Sequence, residues 1–269
     1  MRTLPRLAAL AVTAALPLAL SGASASAEAH RWCDSVEGGF VGEYFFPAWK
    51  QNFTGGFCRV ADVEDGELKR FEVDLDQTAT TNSAGFDAGV GLGMQYGRQV
   101  DKVIDNADVA DAAMSYRFSA DGVELGPNAY WWMGPKTAIT KEISYKTLDN
   151  NYECYVVDAS SKSHQELVDE LSLQPQGTTT HNGATYHHYN KDLHAIKQVF
   201  SIRDPYQTEG ATDVNAIMKA WRDNGLVPGD FYNLGWKINF ETSGAVDGRF
   251  VIDELELVPL DDVEAPKPG

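Results

Sequence analysis

The chain has 269 residues, of which 43% are apolar and 11% aromatic. That composition fills one large core and excludes a wholly disordered chain. Against 22 Lys and Arg stand 39 Asp and Glu, a formal net charge of -17. This excludes a nucleic-acid partner and disfavours strongly anionic polymers, because both need a basic face.

In chain order, the first predicted element is an export segment. Arg2 and Arg6 give a charged start, residues 7–20 are apolar around Pro17, and Ala25-Ser26-Ala27 offers small residues for cleavage. The apolar stretch is short for a membrane span. Residues 1–27 are therefore read as a signal peptide, 28–260 as one domain, and 261–269 as an acidic, Pro-containing flexible tail. The expected product is secreted, extracellular or periplasmic, and leaves the membrane after cleavage. Export implies an oxidising compartment. Cys33 and Cys58, both close to the mature N-terminus, are expected to pair, and Cys154, in an apolar run, to remain a buried thiol.

From residue 38 onward the chain reads mostly as strands. Period-two alternation marks 71–75, 115–118, 185–189, 198–202 and 250–253. Asp121-Gly122, Asn182-Gly183 and Asp247-Gly248 are turn signals between them. Many short strands with turns predict an all-β sandwich or jelly roll. Two stretches break the pattern. Residues 163–171 begin with Ser163 and place Glu166 three positions on, a capping box. Residues 213–224 carry Val214, Ile217, Met218 and Trp221 on one helical face, with Asp213 as cap and Gly225 as stop.

The candidate chemistry centres on Asn151-Tyr152-Glu153-Cys154-Tyr155-Val156-Val157. As a strand it sets Glu153, Tyr155 and Val157 on one face. A carboxylate inside such a strand needs a polar setting, since burial without a partner is costly. A cleft on a curved sheet supplies one. Glu241 ends a second strand, 236–241, before a turn. Two carboxylates on facing strands meet the minimum for glycoside hydrolysis, one ionised and the other held protonated. Tyr130-Trp131-Trp132-Met133 is either a sugar-stacking run or a core strand with one exposed Trp. His181, His187, His188 and His194 fall close together, but His187 and His188 face opposite sides of a strand and cannot share one metal ion. Asp253-Glu254-Leu255-Glu256 is read as a solvated edge, and Gly89, Gly91 and Gly93 lack the Lys and helix of a phosphate loop.

Taken together, these motifs resemble glycoside hydrolase family 11, the β-jelly-roll endo-xylanases, over roughly residues 145–257. Glu153-Cys154-Tyr155-Val156-Val157-Asp158 is similar to the family's nucleophile strand. Asn182-Gly183-Ala184-Thr185-Tyr186, Gln198-Val199-Phe200-Ser201-Ile202-Arg203, the helix with Ala220-Trp221, and the strand from Tyr232 to Glu241 follow in the family's order. The resemblance implies an all-β, concanavalin-like jelly roll with one main helix and a short helical insert. It implies a secreted, monomeric hydrolase of a neutral polysaccharide such as β-1,4-xylan, without cofactor or metal. Glu153 would be nucleophile and Glu241 acid/base. Tyr155 and Gln198 would bind substrate beside them, and Tyr189, Trp131 and Tyr145 are further candidate sugar contacts. Either Gly85 or Asp87 would flank the acid/base. The chain departs from the family in several places. Residues 190–197 hold no Pro-Ser-Ile thumb hairpin, Glu241-Thr242 lacks the following Gly, and the insert at 163–171 is atypical. These departures keep two alternatives in view: a non-catalytic carbohydrate-binding jelly roll, and a polysaccharide lyase on the same fold.

Overall fold

The computed structural model describes residues 28–42, 44–79, 84–92, 104–105, 112–140, 151–193, 196–229 and 232–259. The export segment, the tail, Tyr145 and His194 lie outside them. The strands are β1 (Glu28–Cys33), β2 (Gly39–Val41), β3 (Tyr44–Phe46), β4 (Ala48–Gln51), β5 (Phe53–Glu64), β6 (Glu67–Ala79), β7 (Gly85–Leu92), β8 (Ile104–Asp105) and β9 (Ala112–Leu125). They continue with β10 (Tyr130–Thr140), β11 (Asn151–Val157), β12 (Ala159–Ser160), β13 (Gln174–His181), β14 (Ala184–Asp192), β15 (Ile196–Asp204), β16 (Glu209–Thr212), β17 (Tyr232–Ser243) and β18 (Val246–Pro259). The helices are α1 (His164–Leu171) and α2 (Val214–Asp223). Among the described residues no helix is long and apolar enough to cross a membrane.

The strands form two sheets. One has the order β1-β5-β6-β18-β9-β16. The larger has the order β13-β14-β15-β11-β10-β17-β7-β3-β2, with β12 and β8 added on β10 and β17, and β4 on β7. β11 and β15 run parallel, a pairing that needs a crossover rather than a hairpin. The chain between them supplies it and carries α1. The core fills the space between the sheets, where Phe46, Phe71, Phe86, Phe240, Phe250 and Met114 are fully buried. Each such side chain contributes about 1.5–3 kcal/mol by leaving water.

The two helices sit on opposite faces of the larger sheet. α2 buries Val214, Ile217, Met218 and Trp221 in the main core beside Cys154 and Val156. Asp213 caps it by accepting from Ala216 N at 2.8 Å. Trp221 Nε1 donates to Ser201 Oγ at 2.7 Å. α1 buries Leu167 and Leu171 in a second apolar cluster with Tyr155, Val157, Phe200 and Ile202. By strand alternation these lie on the face that carries Glu153. Ser163 and Glu166 form the expected capping box.

Several local expectations meet the structure directly. Cys33 and Cys58 are opposite each other on β1 and β5 and form a disulfide, and Cys154 is a buried free thiol. Asn182-Gly183 turns the β13–β14 hairpin, both residues at positive φ (49° and 75°). The other two turn signals are not turns. Asp121-Gly122 lies inside β9 and Asp247-Gly248 inside β18, and the two strands pair through an irregular register there. Gly248, at φ 135°, lets the backbones approach so closely that a Cβ would come within 2.6 Å of Val123 Cα. A bulge, not a reversal, is what these glycines serve. Nor is Asp253 at an edge: β18 lies between β6 and β9, and Asp253 keeps its carboxylate 3.9 Å from Arg117 Nε.

Candidate active site

On β17, Trp236, Ile238 and Phe240 point into the core, while Lys237, Asn239 and Glu241 take the other face. Register carries that polar row across the sheet. Glu241 stands opposite Asp87 of β7 and Trp132 of β10. Lys136 of β10 stands opposite Lys237 and Tyr155. Glu153 of β11 stands opposite Gln198 of β15.

Lys136 joins these groups. Its Nζ donates to Asp87 Oδ2 and to Glu241 Oε1, each at 2.7 Å. The same ammonium lies 4.6 Å from the centre of the Tyr155 ring, within cation–π range. Lys237 Nζ donates to Asp87 Oδ1 at 2.9 Å, and Asn239 Nδ2 donates to Glu241 Oε1 at 3.1 Å. Glu153 Oε2 accepts from the Tyr155 hydroxyl and from Gln198 Nε2, both at 2.9 Å. In each glutamate the donors converge on one oxygen, so the second oxygen is the one left for chemistry.

The surroundings divide the two glutamates. Burial opposes ionisation of Glu153, but Lys136 and the hydrogen bonds from Gln198 and Tyr155 outweigh it and hold the carboxyl below its ordinary value. Burial pushes Glu241 up to about 8, with Asp87 and Glu153 adding to the effect against the pull of Lys136. Asp87 is also buried, yet Lys136 and Lys237 keep it well below the usual carboxylate range. Lys136 is held charged in spite of burial by Asp87 and Glu241. These surroundings favour the ionised form of Glu153 and Asp87 and the protonated form of Glu241.

Glu153, Tyr155 and Gln198 are brought together in one hydrogen-bonded group, and Glu241 lies on the same face of the sheet. Asp87, not Gly85, stands beside Glu241; Gly85 is opposite Ser243. The Tyr155 ring is stacked on Phe200 at 4.6 Å and covered by Lys136 on its other face, so only its hydroxyl serves the site and it offers no stacking surface. Trp131 is a correction. It points between the sheets, packed against Phe118 and Phe250 at 5.7 and 5.8 Å, because alternation on β10 gives the cleft face to Tyr130 and Trp132 instead. Tyr189 does face the cleft side, but its hydroxyl bonds His164 Nε2 at 2.8 Å and its ring packs with the α1 cluster. His188 faces the core, bonded to Ser201 and Thr179.

Sequence reasoning missed Lys136, Lys237, Asn239 and Trp49. Trp49, on β4 opposite Asp87, is 50% exposed on the polar face. The lysine and asparagine of β17 were legible as the polar half of a strict alternation from 236 to 241. Lys136 was visible as a lone cation in an apolar run. Trp49 left no local signal, since its neighbours alternate in no distinctive way.

Where a thumb hairpin would lie, the described residues leave only a short connection. β14 passes into β15 through Leu193 and Ile196, which close the hairpin by mutual backbone hydrogen bonds of 2.9 and 3.1 Å. Two residues between them leave no room for an extended hairpin.

Comparison with known structures finds the same architecture. The family 11 xylanase of Neocallimastix patriciarum superposes with a TM-score of 0.64, 17% identity, and coverage of 85% of this chain and 99% of that one. The fold is that of the family 11 xylanases. A cellulase derived from Cel12A of Rhodothermus marinus gives a TM-score of 0.61 at 12% identity, covering 86% of this chain and 99% of its own. Wild-type ENZbleach xylanase gives 0.64 at 14% identity, with 86% and 87% covered. No family model matches the sequence, and no curated protein matches it either. The chain is thus a β-jelly roll, similar in architecture to these xylanases and to this cellulase.

Proposed function

We infer that the protein is a secreted, retaining glycoside hydrolase acting on a neutral β-1,4-linked polysaccharide, xylan or a related glycan. The observation that carries this reading is the pair of partly buried glutamates on one sheet face with different partners: Glu153 accepts from Tyr155 and Gln198, and Glu241 from Lys136 and Asn239 beside Asp87, surroundings that favour an ionised Glu153 and a protonated Glu241. That division is what acid-assisted glycoside cleavage requires. In the first step Glu153 Oε1 attacks the anomeric carbon while the proton on Glu241 Oε2 passes to the departing glycosidic oxygen. A glycosyl ester on Glu153 results. In the second step Glu241, now ionised, takes a proton from water, whose oxygen displaces Glu153 from the anomeric carbon. Tyr155 and Gln198 hold the other oxygen of Glu153 in place throughout. Trp49 supplies an exposed ring beside Asp87 on which a sugar can stack. The short β14–β15 turn leaves the cleft without a thumb, which favours a branched or bulky chain over a tightly enclosed one.

The test is reducing-sugar release from a panel of xylans, β-glucans and uronate polymers, with absorbance of unsaturated products followed in parallel. Release from a neutral polymer is expected to fall by at least about 100-fold in both Glu153→Gln and Glu241→Gln. Proton NMR of the first product should show the β-anomer retained. Inversion would overturn the double-displacement scheme. Unsaturated products that survive both substitutions would establish a lyase. A second reading, sugar binding without turnover, is favoured by one feature: Lys136 lies across the cleft floor and bonds the acid/base directly. Glycan binding with no release by the wild type would select it.

A further inference from the structure

At the start of α1 a second cluster of polar side chains stands apart from the glutamates. His164 opens α1, His187 lies in β14, and Asp204 ends β15. One ligand-type atom from each, an imidazole nitrogen or a carboxylate oxygen, lies within 4.8 Å of the other two. The imidazole centres are 4.6 Å apart with planes at 71°. His187 Nε2 is 4.0 Å from Asp204 Oδ2.

Each member is placed by a different constraint. The β14–β15 register sets His187 opposite Ile202 and Thr185 opposite Asp204, so His187 and Asp204 share the cleft face as diagonal neighbours. The capping box fixes where α1 begins, and Leu167 and Leu171 fix it against the sheet. The Tyr189 hydroxyl, 2.8 Å from His164 Nε2, holds that ring from the strand side, the kind of hydrogen bond that orients metal-ligating imidazoles. The pairing of His187 with His188 is impossible on one strand; the second imidazole comes instead from the helical insert, 23 positions earlier in the chain.

We propose that His164, His187 and Asp204 bind one zinc-class divalent ion, with water completing its coordination. Two imidazoles and one carboxylate are a zinc donor set. Ligand distances of about 2.0–2.2 Å bring tetrahedral donors roughly 3.3 Å apart. Donors up to 4.8 Å apart must draw together, and Asp204, whose side chain is 64% exposed, can swing inward. The ion would join α1 to the β14–β15 hairpin and so fasten the insert over the cleft face. The proposal does not depend on the hydrolase reading.

The experiment uses the full chain, purified without a histidine tag and stripped with chelator, then titrated with zinc chloride calorimetrically. One zinc per chain is expected, with a raised thermal midpoint. Cobalt chloride should give the intense visible bands of a tetrahedral site. His164→Ala and His187→Ala should each weaken zinc binding at least tenfold, and Asp204→Asn should weaken it too, while His181→Ala leaves it unchanged. Circular dichroism of the metal-free variants separates loss of ligands from loss of fold, and His187→Gln provides a milder variant if alanine disturbs the strand. Absence of stoichiometric binding to folded wild type, or binding unaltered in both histidine variants, would overturn the proposal.

Discussion

Glu153 and Glu241 have identical side chains, and their difference arises wholly from what surrounds them. Lys136 acts on both, but Glu153 also accepts hydrogen bonds from Tyr155 and Gln198, whereas Glu241 stands directly opposite the ionised Asp87. If the hydrolase reading holds, kcat/KM should lose its upper limb near pH 8, as Glu241 gives up its proton, and keep its lower limb below the ordinary carboxylate range. Lys136→Met should move the upper limb to higher pH, because Lys136 is the group that favours ionised Glu241. A downward move would remove Lys136 from that role. The same shift acts on stability. Between the ordinary 4.5 of Glu241 and its folded value of about 8, the folded state holds a proton that the unfolded state has released. Stability contributed by that proton is complete below pH 4.5 and is lost as pH rises toward 8. Urea melts across that interval should therefore flatten in Glu241→Gln. Unchanged pH dependence in that variant would assign the proton to another group.

At the scale of elements, α1 and the β9–β18 bulge show opposite kinds of legibility. The capping box of α1 is local, so residues 163–171 declare a helix by themselves. Where that helix lies is not local. Leu167 and Leu171 meet Val157, Phe200 and Ile202 only because β11 and β15 run parallel and adjacent. Leu167→Ala should cost about 2–5 kcal/mol by urea unfolding; a cost below about 1 kcal/mol would mean that α1 is not packed on the cleft face. The Asp-Gly pairs misled for the same reason. A glycine at positive φ suits a turn or a bulge equally, and the partner strand decides between them. Gly248→Ala, strained in φ and blocked by Val123 Cα, should destabilise by more than about 1 kcal/mol. Thermal unfolding checks this.

For the molecule as a whole, two sheets share one core, and one covalent tie lies within the smaller sheet. The Cys33–Cys58 disulfide fastens the outermost strand β1 to β5 across 25 residues of chain. Closing a loop of that length stabilises by about 3–4 kcal/mol in the chain-entropy account. The Cys33→Ser/Cys58→Ser double variant should lose an amount of that order in guanidinium melts. A loss under about 1 kcal/mol would indicate that β1 contributes little to the cooperative unit.

The amino-acid order alone determined the all-β class, both helices with their N-caps, the disulfide partners and the shared face of Glu153 and Tyr155, and the resemblance its motifs carry added Gln198. Those features depend on spacing of two or three to four residues, on turn chemistry, or on motifs in sequence order. Tertiary structure alone decided that Asp87 rather than Gly85 stands by Glu241, that Lys136 links them, that Trp131 faces the core, and that His187 meets His164 instead of His188. Each of these is a matter of strand register and of which face packs on which layer. Such relations join residues from 23 to 154 positions apart, and no local pattern encodes them.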